Sequence, residues 1–185
     1  MTEQWHTAAG TLEVLEALQR PDLLADPVRE SLRGLDDARS VGVVEIDPDL
    51  ADTAEFCATY GSPLELSANC VVVAGKRAGE VRYAACLVLA TTRADVNNVV
   101  RRRLDVRKAS FAGTDEAVEL TGMAYGGITP FGLPAWPVWL DPAVAEAPAV
   151  VVGSGVRRSK LIVPGELLTR LTGAEVVDGL GKPVS

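Results

Sequence analysis

At 185 residues, 48% of them apolar and 23% charged, the chain is long enough to bury one core and too hydrophobic to be intrinsically disordered. Twenty-five acidic against 18 basic side chains leave a formal charge of −7, which argues against wrapping a nucleic-acid backbone non-specifically. The three cysteines, Cys57, Cys70 and Cys86, are widely spaced and odd in number, which excludes a fully paired disulfide scaffold; Cys70 and Cys86 lie in apolar runs and read as structural free thiols.

The opening Met1-Thr2-Glu3-Gln4-Trp5 lacks the basic segment and apolar core of a secretory signal, and no later apolar run reaches the roughly 18–20 residues of a membrane span. A cytoplasmic location with no membrane partner is expected. Leu12, Val14, Leu15 and Leu18, then Leu23, Leu24, Val28, Leu32 and Leu35, recur every three to four residues and predict two short amphipathic helices parted near Arg20-Pro21. Residues 42–46 read as a strand ended by Asp47-Pro48. Asp52-Thr53-Ala54-Glu55 has the spacing of a capping box for a helix that carries Phe56 and Cys57 and ends near Gly61. Residues 69–74 and 81–90, joined by a turn within 75–79, are almost wholly apolar and predict central strands covered on both faces.

A helical pattern begins at Asp95 and a short strand fits 107–112. Thr114 or Asp115 can cap a helix that stops at Gly122. Beyond the glycine- and proline-rich passage 122–134, short strands are predicted at 136–140, 149–152 and 160–163, a proline-started helix at 164–171, and a last strand at 174–177 before a polar tail. The sum is a single compact α/β domain with a mixed, barrel-like sheet and peripheral helices, divided into an N-terminal helical extension (1–40) and a main domain (41–180).

Chemistry concentrates in Gly122-Met123-Ala124-Tyr125-Gly126-Gly127-Ile128-Thr129-Pro130-Phe131-Gly132. Glycines let backbone approach a ligand, Pro130 limits the loop's freedom, exposed N–H groups there can stabilise an acyl oxygen, and Tyr125 and Thr129 offer hydroxyls. A purely structural turn is an equal reading, and the spacing is neither a phosphate-binding P-loop nor a dinucleotide fingerprint. Two basic stretches, Arg101-Arg102-Arg103 with Arg107-Lys108 and Gly153-Ser154-Gly155-Val156-Arg157-Arg158-Ser159-Lys160, can meet phosphate or ribose, or form a solvated helix and a hairpin turn. His6 is the single histidine, so a triad or a histidine-rich metal site is not expected. Asp36-Asp37, Asp47-Pro48-Asp49 and Asp141-Pro142 have cap or turn explanations.

Taken together, Thr121-Gly122 followed by 126–132, the 104–109 region, Leu140-Asp141 and the final Pro164-Gly165-Glu166-Leu167-Leu168 resemble the bacterial YbaK/ProX family of deacylases and synthetase editing domains, over about residues 51–177. The resemblance implies hydrolysis of the ester joining a wrong amino acid, a small one, to the 3′ end of a transfer RNA, through backbone- and substrate-assisted activation of water, with no metal and no other cofactor. It implies Gly126, Asn69 and Thr129 as catalytic or orienting groups, and Tyr125, Gly127, Pro130, Gly153, Ser154, Arg107 and Lys160 as substrate contacts. The family's usual strand lysine is absent. Ala68-Asn69 stands in its place, and Lys76, Lys108 or Lys160 can compensate if folding brings one inward. The alternatives are a non-catalytic binding module for aminoacyl-tRNA or a nucleotide-like ligand, and a regulatory scaffold. DNA is not an expected partner, and either a monomer or a homodimer fits.

Overall fold

Two apolar runs without helical periodicity satisfy their backbone groups and their side chains together by pairing in the middle of a sheet. A computed structural model, which describes residues 2–184, pairs them in that way. The chain begins with helix α1 (Thr2–Ala9), strand β1 (Leu15–Glu16), helix α2 (Asp26–Arg33), strand β2 (Gly42–Glu45) and helix α3 (Thr53–Tyr60). Strands β3 (Ala68–Arg77), β4 (Glu80–Leu89) and β5 (Thr92–Ala94) follow, then helix α4 (Arg101–Leu104), strand β6 (Ala109–Phe111) and helix α5 (Thr114–Thr121). The last third holds β7 (Val138–Leu140), α6 (Pro142–Ala145), β8 (Val150–Gly153), β9 (Ser159–Val163), α7 (Gly165–Leu168), β10 (Ala174–Val176) and β11 (Gly181–Pro183).

The strands divide among three sheets. One is antiparallel, in the order β1-β2-β9-β8; the second is mixed, in the order β10-β7-β4-β3-β6; the third is the pair β11-β5. This is the expected single mixed α/β domain, but among the described residues the sheets stay open and close no barrel. A lone bridge between Ser67 and Val151 joins the first two sheets. Because β6 pairs β3 only over Val73–Gly75, the first half of β3 has no strand beyond it. That uncovered half borders the cavity described below.

Local signals failed where tertiary pairing outweighed them. The helix expected around 12–18 is instead β1 and a short 3-10 turn, because Leu15 pairs with Val43 and draws the segment onto the sheet edge. The helix precedes it, ending at Gly10, and buries Trp5, Ala8 and Ala9 on one face. The hairpin turn is tighter than expected: β3 runs on to Arg77, and Ala78 and Gly79, both at positive φ, form a two-residue connection to Glu80. Asp52 does sit at the N-cap of α3, yet its carboxylate makes no capping bond and lies 3.5 Å from Arg157. Helix α5 starts after Gly113 without a side-chain cap and stops at Gly122 as expected. Pro164 stands at the N-cap of α7, not its first turn, and that helix ends at Leu168. The polar tail forms β11, held where Lys182 meets the buried Asp95 at 2.8 Å. Burial works against the ionised Asp95, but Lys182 and Asn98 outweigh it and hold its carboxyl below the ordinary value.

The core is built mainly from Val, Leu, Ile and Ala, with Phe56 and Phe131 its largest fully buried side chains. Its largest part fills the space between α2 and the two main sheets, with Leu87, Leu140, Val152, Leu161 and Phe131 at its centre. A second part packs α1 and α3 against the outer face of the first sheet, and a third packs α4 behind β3 and β4. No helix among the described residues is long and apolar enough to cross a membrane.

Gly132 and Gly61 both adopt left-handed backbone, but a Cβ on Gly132 would run into the Pro27 carbonyl, whereas one on Gly61 meets nothing within 4 Å. Gly61→Ala is expected to cost about 1 kcal/mol, the left-handed penalty alone. Gly132→Ala adds overpacking of roughly 1–3 kcal/mol to it. Urea unfolding of the two variants measures the difference, and equal losses would refute the packing account.

Candidate functional site

Where the first half of β3 and the end of β8 diverge from the Ser67–Val151 bridge, they leave a cavity of about 470 Å³, a size suited to a small organic ligand. Its walls come from β3 (Ala68 to Val72), β8 (Val151 to Gly153), the start of α3 with Asp52, Thr53 and Phe56, and the segment Tyr125 to Ile128. Phe111 and Tyr125, 60% and 62% exposed, also line it.

The glycine loop is placed by backbone contact with the β8–β9 turn. The Gly155 N–H donates to the Gly127 carbonyl at 2.7 Å, and the Ala124 N–H donates to the Gly155 carbonyl at 2.9 Å. Residues 124–127 form a turn closed by the Gly127 N–H on the Ala124 carbonyl, with Gly126 at φ +79°, the value its third position demands. The Gly127 N–H is thereby used, while that of Gly126 has no backbone acceptor and Gly126 lines the cavity. Arg157 braces the loop from behind: its guanidinium donates to the carbonyls of Tyr125 (3.3 Å) and Pro48 (3.1 Å) and faces Asp52.

Lys160 enters the same cavity from β9, directly across from Gly153. It is 9% exposed, and its Nζ lies 5.7 Å from the centre of the Phe56 ring. Among the described residues it makes no ion pair and no side-chain hydrogen bond. Burial, reinforced by the like charge of Arg157 and only partly offset by Asp52 and Cys57, lowers its pKa from the ordinary 10.5 to about 8. Across the cavity, Asn69 accepts a hydrogen bond from the Thr53 hydroxyl at 3.0 Å, which leaves its amide N–H₂ for a ligand.

Of the residues singled out from sequence, Asn69, Tyr125, Gly126, Gly153 and Lys160 therefore converge on one cavity. Gly127 lies just behind it, packed on the β8–β9 turn. Thr129 and Pro130 do not line it: the chain turns inward after Ile128 to bury Phe131, and the Thr129 hydroxyl is buried without a partner. Ser154 is buried too, its hydroxyl bound to Ser159, whose own hydroxyl reaches the Leu23 carbonyl at 2.5 Å. Arg107 is exposed and outside the cavity walls, as are Lys76 and Lys108, so Lys160 is the lysine that folding brings inward. Arg101 and Arg102 bond the carbonyls of Asn97 and Asn98, and Arg103 pairs with Glu175 beside Trp139. Sequence reasoning missed Phe111, an aromatic isolated between Ser110 and Ala112 on a short edge strand, and the bracing by Arg157. Cys70 lines the cavity and Cys86 is buried; burial raises both thiols, Cys86 to about 12, so neither is a ready nucleophile.

Residues 47–171 match the family described as the aminoacyl-tRNA editing domain. The chain belongs to that family. Among solved structures, this editing domain is similar to a protein provisionally assigned as a trans-editing enzyme for prolyl tRNA synthetase, with 27% identity and a TM-score of 0.70 over 85% of this chain and 96% of the other. The hypothetical protein APE2540, 23% identical, shares the fold with a TM-score of 0.71 over 85% of this chain and all of its own. A scaffold used for computational epitope grafting, 24% identical, shares it with a TM-score of 0.70 over 86% and 97%. No curated protein matches this editing domain. The YbaK/ProX resemblance read from residues 121–132 and their companions thus holds.

The depressed pKa of Lys160 fixes the sign of a stability change. The folded editing domain holds this proton more weakly than the unfolded chain, so the penalty is complete below pH 8 and fades between about 8 and 10.5. Lys160→Met is expected to be more stable than the parent at pH 7, with the gap narrowing as pH rises through that window. Urea unfolding of both proteins from pH 7 to 10 checks this, and a gap independent of pH would overturn it.

Proposed function

We propose that this editing domain hydrolyses the ester bond of misacylated transfer RNA, with the acyl group inside the cavity and the terminal adenosine at its mouth. The observation that carries the reading is the convergence on one cavity of Gly126, whose N–H has no backbone acceptor, Asn69, whose amide N–H₂ is unengaged, and the largely buried Lys160. A fixed N–H aimed at a carbonyl favours the oxygen as it gains charge, and a partly desolvated cavity strengthens the effect.

In the proposed reaction a water oxygen attacks the acyl carbon and the carbonyl oxygen takes up the electron pair beside the Gly126 N–H. The carbon–oxygen bond to the ribose then breaks. One proton of the water goes to the departing ribose oxygen and the other to solvent, and the amino acid departs with a new carboxylate. Water is placed by the neighbouring ribose hydroxyl of the substrate and by protein backbone. Asn69 orients the ester, while Tyr125 and Phe111 offer ring faces at the mouth on which a base can stack. Gly153 keeps the β8 wall free of a side chain where the glycine loop presses against it.

Purified protein incubated with a panel of charged transfer RNAs tests the reading. Ester loss that depends on the protein is expected for at least one mischarged species. Binding with no turnover across the panel would make the domain a binding module instead. Gly126→Ala would strain the left-handed backbone at φ +79° that sets the amide and crowd the Arg157 guanidinium; a fall of about 10²-fold in kcat/KM is expected, the scale for losing one transition-state donor. A rate within twofold of the parent would remove Gly126 from the mechanism.

A further inference from the structure

Lys160 carries a charge that no other described residue pairs with. From the cavity and its surroundings we infer that the domain selects acidic acyl groups, the side-chain carboxylate of an aspartyl or glutamyl ester seating against the Lys160 ammonium. The inference rests on the editing reading and names its substrate class.

An ammonium with most of its side chain buried favours a counter-charge or hydrogen-bond acceptors where it meets the cavity. The Phe56 ring lies 5.7 Å from the Lys160 Nζ, Val151 and Val152 add aliphatic lining to the same cavity, and no described polar group bonds or pairs with it. The charged and titratable groups that face it are Arg157, Asp52 and Cys57. Arg157 repels it. The Asp52 carboxylate lies within 3.5 Å of Arg157, is 65% exposed, and makes no ion pair with Lys160. Cys57 is engaged with the Ser67 hydroxyl at 3.5 Å. The cavity therefore presents unspent donors, from Lys160 and from the Asn69 amide, with no carboxylate neutralising Lys160 at close range. A carboxylate is a ligand group that answers such a wall.

Depth decides which part of the substrate supplies it. Phosphates of an RNA strand are flanked by ribose and base, and cannot reach a group nine-tenths buried without carrying those neighbours inside. The acyl side chain is the free end of the substrate. The exposed Phe111 and Tyr125 rings suit the adenosine, and the acyl end then points away from them toward the interior. Asparagine and glutamine match the two acids in shape but cannot neutralise the ammonium, so the site should reject them. Sites that fix a polar group in place discriminate strongly against ligands that cannot complete it.

The test compares transfer RNAs charged with aspartate, glutamate, asparagine, glutamine and alanine, using the full chain and its Lys160→Met and Lys160→Arg variants, each checked for folding by circular dichroism. Acidic esters are expected to exceed their amide counterparts in kcat/KM by about 100-fold, with the ratio falling toward one in Lys160→Met and partly restored in Lys160→Arg. Equal rates for acid and amide, or a preference that survives Lys160→Met, would overturn the inference while leaving deacylation intact. Absence of all turnover would overturn the editing reading, and binding then decides the inference. For that arm, hydrolysis-resistant amide-linked aspartyl- and asparaginyl-adenosine are titrated calorimetrically. Tighter binding of the aspartyl compound, lost in Lys160→Met, supports it; equal binding overturns it. Adenosine and its 5′-monophosphate serve as a further pair, and a phosphate-dependent gain that disappears in Lys160→Met would assign the cation to RNA and overturn the acyl assignment.

Discussion

Backbone meets backbone where the glycine loop lies on the β8–β9 turn, and the site depends on that contact. A Cβ on Gly153 would come 2.8 Å from the Ile128 carbonyl and closer still to that of Gly127; one on Gly127 would come 2.8 Å from the Val156 carbonyl. Glycine alone permits the approach. The paired hydrogen bonds between Gly127, Ala124 and Gly155 then set the Gly126 amide on one wall while β9 brings Lys160 to another. Side chains at either glycine would separate the two walls before altering any chemistry.

Two kinds of cation contrast in the structure. Arg20, Arg77, Arg103, Arg157 and Arg170 all pair with carboxylates on partly exposed ground, where each pair adds little to stability. Lys160 is the opposite case, buried and unpaired at a cost to the fold. A replacement by methionine would fill much the same volume without that cost, which marks Lys160 as a residue the fold does not require. Local rules of stability are most often broken at functional sites, and the cavity wall is where this chain breaks one.

Strands with strong apolar character were legible in the sequence: β2, β8, β9 and the β3–β4 pair form where composition placed them, although the pair's turn is shorter than its glycines suggested. Helix ends marked by Gly61 and Gly122 were legible as well, because left-handed termini demand a residue type. Periodicity misled at 12–18, where Leu12, Val14, Leu15 and Leu18 fit a helix but edge pairing with β2 prevailed. The pattern of Trp5, Ala8 and Ala9 would have revealed α1. Sequence also brought together most of the site, since Gly126, Asn69, Tyr125, Gly153 and Lys160 all reach the cavity. Thr129, Pro130 and Ser154 lie outside the cavity because neighbours of a cavity-lining residue can point into the core, and spacing alone does not say which. The choice of Lys160 over Lys76 and Lys108 depended on strand register, which no local pattern encodes.

The bonds that brace the cavity join distant parts of the chain. Arg157 reaches back 109 residues to Pro48, and Ser159 reaches back 136 to Leu23. During synthesis the pocket therefore has no form until the β8–β9 segment has left the ribosome, although α1, α2 and the β3–β4 hairpin emerge long before. Non-local closure of this kind slows folding, and the uncovered half of β3 remains open to stray strand pairing meanwhile. A nascent chain stalled before residue 160 would carry most of its mass and none of its completed site.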